Sequence, residues 1–387
     1  MTLAAWLHDL DPVLLPISGS VAIYWYGVSY IVGFALAYLL LRALVARGMT
    51  TLDAQAVGDM VVWGGIGGVI GGRLGYVLLY RPGLLAEFSA APPFWGAIDI
   101  TRGGMASHGG FVGAVAGLAL LARALRARAR REDTPRLAAP PAHLLDLAAF
   151  VAPVGLFCGR IANFVNGELL GSVVAPFGRP APWWAVRYPQ EVTSRWHELS
   201  PEQHAAAAEA VGMSYLELAT PEGMERFFTA YGALLDRLRD GAPEAARLLE
   251  GALNARHPSQ LYQAFAEGVL LWIAMAIVWA RPRVAGVLAA WFMIVYGLGR
   301  VATEFFRLPD AHFQVARPLG LSRGQWLSVG LVVVGVAVLV WITRRAGAGS
   351  PRYGGWLGGS PGRSALAGSA EPGDAQGHAR AQGDQAR

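Results

Sequence analysis

The chain has 387 residues, of which 54% are hydrophobic and only 15% charged, against about 25% charged in soluble domains. Several apolar runs reach the roughly 20 residues needed to cross a bilayer, which excludes a soluble enzyme and predicts an all-α integral membrane protein. The net charge is +5 and there is no lysine, so every fixed basic side chain is arginine; a single cysteine, Cys158, excludes an intrachain disulfide and a Cys-only metal cluster.

Residues 1–20 carry no basic region ahead of the first apolar run and do not read as a cleaved signal peptide. The first span is expected from about Val21 to Leu41, with Arg42 and Arg47 after it. The second runs from about Ala56 to Leu79 and carries two small-residue stripes, Gly64/Gly68/Gly72 and Gly67/Gly71/Gly75. Such spacing lets helix backbones approach closely in lipid. Arg73 stands beside them, although close packing needs no charge. The third span, about Met105 to Leu121, is entered through Ser107-His108-Gly109-Gly110 and followed by Arg123, Arg126, Arg128, Arg130 and Arg131. That cluster lacks interleaved aromatics and adjoins a span, so it reads as a topology anchor and not as a nucleic-acid patch. Cys158 sits in the apolar run of the fourth span, as a small buried hydrophobe would. That span ends in Gly159-Arg160-Ile161-Ala162-Asn163-Phe164-Val165-Asn166-Gly167-Glu168-Leu169-Leu170-Gly171.

Residues 171–256 are polar enough to leave the membrane and read as a small, mostly helical head. Ser200-Pro201-Glu202-Gln203 resembles a capping box with proline at the first helical position. Thr220-Pro221 and Ala242-Pro243 open two more helices. A fifth span starts at His257-Pro258 and ends near Arg281-Pro282-Arg283. A sixth runs from about Gly286 to Phe306, and a seventh from about Trp326 to Ile342, stopping at Arg344-Arg345. The chain then divides into an N-terminal segment (1–20), helices one to four (21–170), the head (171–256), helices five to seven (257–345) and a tail (346–387). The Gly-, Ala-, Ser- and Arg-rich tail is expected to be disordered. Arginines after the first, third, fifth and seventh spans place those loops and the C-terminus in the cytoplasm, with the N-terminus and head outside.

On that topology the unusual polar residues share the outer half of the membrane: Tyr26, Arg73, His108, Arg160, Asn163, Asn166, His257, Ser259, Gln260, Arg300, Glu304 and Arg307. Intramembrane ionisable groups face a polar cavity or one another. Tyr296, Arg300, Glu304 and Arg307 are spaced four, four and three and form one stripe. Arg300 and Glu304 can neutralise each other at i, i+4, which leaves Arg160 and Arg307 without an obvious partner. Surplus guanidinium in an apolar cavity calls for an anion, and its fork suits phosphate. The phosphate abundant there is that of a lipid headgroup. A transporter or lipid-binding protein that only holds the anion is the alternative; no second copy of the 159–171 pattern supports paired interrupted helices.

The segment Gly159 to Glu168 resembles the signature of the bacterial prolipoprotein diacylglyceryl transferases. Matching segments are Trp25-Tyr26-Gly27, Gly71-Gly72-Arg73-Leu74-Gly75-Tyr76, Ser107-His108-Gly109-Gly110, His257-Pro258-Ser259-Gln260-Leu261-Tyr262, Tyr296-Gly297 through Arg300, and Glu304-Phe305-Phe306-Arg307 to Pro309-Asp310. The resemblance covers nearly all of Val21 to Ile342. It implies an enzyme of the bacterial inner membrane that moves the diacylglyceryl group of phosphatidylglycerol to the lipobox cysteine of a preprolipoprotein signal peptide. A thioether forms and glycerol phosphate leaves. The nucleophile belongs to the substrate, and no metal, cofactor or nucleic acid is required. Arg160 and Arg300 would bind and stabilise the phosphate, and Asn163, Asn166 and Glu168 would orient headgroup or thiol. Glu304 would hold Arg300. His108 is the candidate general base, since histidine titrates in the useful range. Tyr26, Arg73, His257, Tyr296 and Arg307 complete the candidate binding residues. The stretch Gln190–Asn254 is longer than the resemblance leads one to expect.

Overall fold

A computed structural model describes residues 5–18, 21–90, 92–99, 103–308 and 320–356. The helices are α1 (Trp25–Ala46), α2 (Ala54–Leu79), α3 (Ser107–Arg131), α4 (Pro141–Val165), α5 (Gln190–Ser194), α6 (Pro201–Ala210), α7 (Pro221–Arg239) and α8 (Pro243–Glu250). Next comes α9 (Ser259–Gln263), which continues through a π-helical turn (Ala264–Leu270) into α10 (Leu271–Trp279). α11 (Val287–Glu304) and α12 (Arg323–Arg345) follow. Among the described residues seven helical segments are long and apolar enough to cross a membrane: α1 to α4, the continuous α9–α10, α11 and α12. The chain is an all-α integral membrane protein.

The chain packs as two units. One comprises Met1–Ala37, Ala149–Met275 and Ala290–Val338; the other comprises Tyr38–Ala148, Ala276–Ala289 and Leu339–Arg387.

In the first unit, β2 (Val13–Ser18) and β3 (Val21–Tyr24) form an antiparallel pair after β1 (Trp6–Leu7). The first four residues of the expected first span are therefore strand, and the helix begins at Trp25. Ile23 and Tyr24 are residue types that a pleated strand accommodates well. The residues between the fourth and fifth spans hold α5 to α8 and three short strands, β4 (Val173–Ala175), β5 (Val186–Arg187) and β6 (Ala255–Arg256). With β1 these make a four-stranded sheet of order β1-β5-β6-β4. Strands of two or three residues leave no periodicity to read in a sequence. The helix starts do leave a signal: Ser200 Oγ accepts the Gln203 N–H at 3.2 Å, and Thr220 Oγ1 accepts that of Gly223 at 3.1 Å. Phe227, Tyr231, Leu249 and Leu253 are fully buried at the centre of this helical layer.

A buried carboxylate ties that layer to the sheet. Glu191 accepts from Arg256 Nε and Nη2 at 2.9 and 2.6 Å, from Asn254 at 2.7 Å and from Gln203 at 3.1 Å. Arg256 also donates to the Gly171 carbonyl at 3.0 Å. A charge buried this deeply is tolerated when its oxygens are fully paired.

In the second unit, glycines set how α2 meets α3. A Cβ at Gly67 or Gly71 would overlap the backbone of Gly113 and Gly109, and one at Gly75 would come within 2.8 Å of the Gly109 Cα. Of the two stripes, Gly67/Gly71/Gly75 is thus the one that lets the backbones touch. Asp146 of α4 accepts from the Gly286 and Ala289 N–H groups at 2.7 and 2.8 Å. It satisfies donors that the first turn of α11 cannot satisfy itself.

The expectation of a disordered tail from Ala346 fails for the residues up to 356. β8 (Arg352–Tyr353) pairs antiparallel with β7 (Arg283–Val284). The Tyr353 ring stacks on His143 at 4.3 Å, and a Cβ at Gly354 or Gly355, which sit at φ +80° and +94°, would crowd Trp279 or Pro282. Composition misses this because the anchoring residues, His143 of α4, Trp279 of α10 and the strand β7, are distant in sequence. Residues 357–387, and Pro309-Asp310 of the sequence motifs, lie outside the described residues.

Candidate active site

The end of α4 is shaped by a Schellman turn. Gly167 N–H bonds to the Phe164 carbonyl and Glu168 N–H to the Asn163 carbonyl, both at 3.0 Å, with Gly167 at φ +64°. The chain folds back on the helix, and the Glu168 carboxylate comes over the last turn. There the Asn163 and Asn166 amides each donate to it at 3.2 Å. Leu169 follows at φ +55°, a costly conformation for a residue with a side chain. It is held from the next span: Ser259 Oγ donates to the Leu169 carbonyl at 2.9 Å and Gln260 Nε2 to that of Glu168. His8 secures the same end from the N-terminal segment. Its Nε2 lies 2.7 Å from the Phe164 carbonyl, and Gln190 Nε2 donates to its Nδ1 at 3.2 Å. That arrangement requires the neutral Nε2–H tautomer, and burial lowers the His8 pKa below the ordinary histidine value.

Three arginines and two glutamates alternate in one chain of contacts. Arg160 donates through Nε and Nη2 to Glu267 Oε2 at 3.0 and 2.9 Å. Glu267 Oε1 lies 3.5 Å from Arg300 Nη1. Arg300 Nη2 reaches Glu304 Oε2 at 3.2 Å, and Arg307 Nη1 the same oxygen at 3.6 Å. The Glu267 side chain is completely buried, and the other four are between 8% and 16% exposed. Arg160 and Arg307, expected to lack obvious partners, therefore both contact carboxylates. The fork of Arg160 is only half used: its Nη1 has no hydrogen-bond partner among the described residues.

Glu267 was not singled out in the sequence, although it was visible there. It is the lone acidic residue of an apolar span, the same signal that marks Arg160. It also sits in the π-helical turn, a feature common at functional sites. Tyr296, one turn before Arg300 on α11, stacks on Phe292 at 5.6 Å. His257 lies among Trp184, Tyr262 and Phe306 at centroid distances of 5.2, 5.9 and 5.2 Å. Its ring meets aromatic surface, not the charge chain. Tyr26 packs edge-on against Tyr30 at 5.3 Å. A backbone seam brings these parts together: Leu308 N–H bonds to the Leu170 carbonyl, Ser172 N–H to Phe306, and His257 N–H to Ser172. Gly171 is required in it, since a Cβ there would overlap the His257 carbonyl.

The two remaining candidates belong to the second unit. Arg73 donates to the carbonyls of Ala97, Gly103, Gly104 and Gly96 at 2.8, 2.8, 2.9 and 2.6 Å, so it holds the loop that follows α2. His108 is exposed in the first turn of α3.

The guanidiniums of this run, with the fork of Arg160 only half used, are groups whose geometry suits an anion such as phosphate. Residues 12–341 match the model of the prolipoprotein diacylglyceryl transferase family. The chain is 40% identical over 355 residues to a phosphatidylglycerol–prolipoprotein diacylglyceryl transferase of Bdellovibrio bacteriovorus, covering 88% of this chain and 95% of the relative. It is 34% identical to the proteins of that name from Chromobacterium violaceum and Ralstonia pickettii, covering 87% and 88% of this chain and 97% and 96% of theirs. The chain belongs to the prolipoprotein diacylglyceryl transferase family.

Proposed function

We propose that this chain transfers the diacylglyceryl group of phosphatidylglycerol to the lipobox cysteine of preprolipoproteins in the bacterial inner membrane. The observation that carries the reading is the Arg160–Glu267–Arg300–Glu304–Arg307 chain, in which the Nη1 of Arg160 is left unused among the described residues. The substrate thiolate attacks the glyceryl carbon that bears the phosphate ester. A C–S bond forms, the C–O bond breaks, and glycerol phosphate leaves with the electron pair; the thiol proton passes to a base. Charge develops on the departing phosphate, where fixed guanidiniums stabilise it most. Arg160 offers its unused Nη1, and Arg300 is held in place by carboxylates on both sides. Asn163, Asn166 and Glu168 orient the reacting groups at the end of α4. His108 is assigned the role of base from its residue type alone. Cys158 carries no chemistry in this scheme. The N-terminus and head are placed outside the membrane and the C-terminus in the cytoplasm, on the distribution of arginines.

The test uses purified protein, phosphatidylglycerol vesicles and a lipobox peptide. Mass spectrometry is expected to find the peptide heavier by one diacylglyceryl group, with the sulfur alkylated. Lipid binding without any adduct would sink the transferase reading and favour a protein that only holds the anion.

A further inference from the structure

Gln263 is fully buried, yet neither its Nε2 nor its Oε1 has a hydrogen-bond partner among the described residues. Buried side-chain amides are nearly always paired, and an exception asks for an explanation. Its position supplies one. Gln260, Gln263 and Glu267 follow at intervals of three and four and share one face of the fifth span. The outer two meet the end of α4: Gln260 donates to the Glu168 carbonyl and also accepts from Tyr188 Oη at 3.1 Å, while Glu267 takes both bonds of Arg160. Gln263 falls between them, at the level of the segment that runs from Arg160 to Glu168. It is the member of this stripe with nothing to hold.

We propose that Gln263 recognises the hydroxyls of a glycerol headgroup, and so sets which phospholipid the site accepts. This rests on the transferase reading and deepens it. The chemistry follows from what an amide lacks when both ends are unpaired. It needs a group that accepts from Nε2 and donates to Oε1. A phosphate oxygen only accepts and would leave Oε1 unpaired. An ammonium, as in an ethanolamine headgroup, only donates and would leave Nε2 unpaired. A hydroxyl does both, and the terminal diol of glycerol offers two side by side, matched to the two ends of one amide. The arginines take the phosphate, which all these lipids share, and Gln263 reads the alcohol beyond it. A buried polar site rejects a partner that leaves its groups unpaired more strongly than an apolar pocket rejects an isostere.

The test separates this residue from the reaction. Purified full-length protein in detergent is titrated by calorimetry with glycerol 1-phosphate and with inorganic phosphate. The wild type is expected to favour glycerol 1-phosphate about tenfold or more, as the loss of one or two buried hydrogen bonds implies. Gln263→Leu and Gln263→Met should lose that preference while their affinity for inorganic phosphate stays unchanged. Their thermal midpoints should hold or rise, because an unpaired buried amide has been removed. In the transfer assay KM for phosphatidylglycerol should rise about tenfold, with kcat changed far less. A wild type without the glycerol preference, or variants that keep it, would overturn the assignment of Gln263 even with transfer intact. Absence of transfer in a wild type that shows the preference would instead overturn the catalytic reading and leave the headgroup assignment standing.

Discussion

Arg300 touches two carboxylates, Glu267 at 3.5 Å and Glu304 at 3.2 Å, through different Nη atoms. A planar fork reaches both at once, and a lysine ammonium is a point charge on a flexible stem. We predict that Arg300→Lys is nearly as damaging as Arg300→Ala. Turnover should fall about 10²–10³-fold in each, by analogy with the loss of one aligned donor to a developing anion. Near-normal transfer by the lysine variant, in membrane-inserted protein at equal abundance, would reduce Arg300 to a charge balance for its neighbours. Glu267→Gln keeps the shape and removes the charge between Arg160 and Arg300. Breaking a buried pair costs about 3–5 kcal/mol, so the variant should melt earlier and lose at least tenfold in kcat. Unaltered kcat with a lowered melting point would confine Glu267 to stability. The sequence made Arg160, Arg300, Glu304 and Arg307 legible, because spacing alone puts the last three on one stripe. Their wiring was not legible: Glu267 lies 107 residues from Arg160, and no local period links the two.

At the scale of elements, the end of α4 depends on segments far away in the chain. His8 binds the Phe164 carbonyl only as the neutral Nε2–H tautomer with Nδ1 accepting from Gln190. Its folded pKa is lowered, so the unfolded chain binds the extra proton. The contribution is present above the unfolded value near 6.5 and is lost as pH falls from there towards the folded value. The thermal midpoint of the wild type should drop between pH 7.5 and 5, and His8→Gln should flatten that dependence. An identical slope in the variant would show that His8 is not the group responsible. The β7–β8 clip yields a second prediction. Truncation after Trp356 should leave stability and transfer unchanged. Truncation after Ala346 removes the ring that covers the buried His143 and uncovers Trp279. It should cost about 1–3 kcal/mol, measured as a lower thermal midpoint. Equal midpoints for the two truncations would mean that the clip adds nothing to stability. The head shows the limit of sequence reading at this scale. Its helix starts carried capping signals, whereas its two- and three-residue strands carried none and are specified by pairing partners up to 180 residues apart.

For the whole molecule, hydropathy sufficed to find seven spans, because a bilayer demands an unbroken apolar helix whatever its tertiary partners. It misjudged only edges, such as Val21–Tyr24, where apolar residues suit a strand as well as a helix. Orientation has a separate determinant: arginines in short loops resist translocation, and long domains are exempt. Arg42 and Arg47 follow the first span, five arginines from Arg123 to Arg131 end or follow the third, Arg281 and Arg283 follow the fifth, and Arg344 and Arg345 end the seventh. Of the short loops on the opposite side, the one after the second span carries Arg81 and Arg102, and the one after the sixth carries Arg307, Arg317 and Arg323. They are thus not free of arginine, but these five are outnumbered by those eleven on the other side. With seven crossings the two ends lie on opposite sides. We therefore predict that the C-terminus is cytoplasmic. A reporter that is active only in the cytoplasm, fused after Trp356 so that the β7–β8 clip stays intact, should be active; the same reporter inserted in the head at Gly241, a turn between α7 and α8 at φ +81°, should be silent. The paired design matters, because a silent C-terminal fusion alone has two causes, misfolding and inversion. An inverted protein would exchange the two signals at equal abundance, and it would put the Arg160–Glu267–Arg300 chain at the cytoplasmic leaflet, where the peptide thiol of an exported substrate does not arrive.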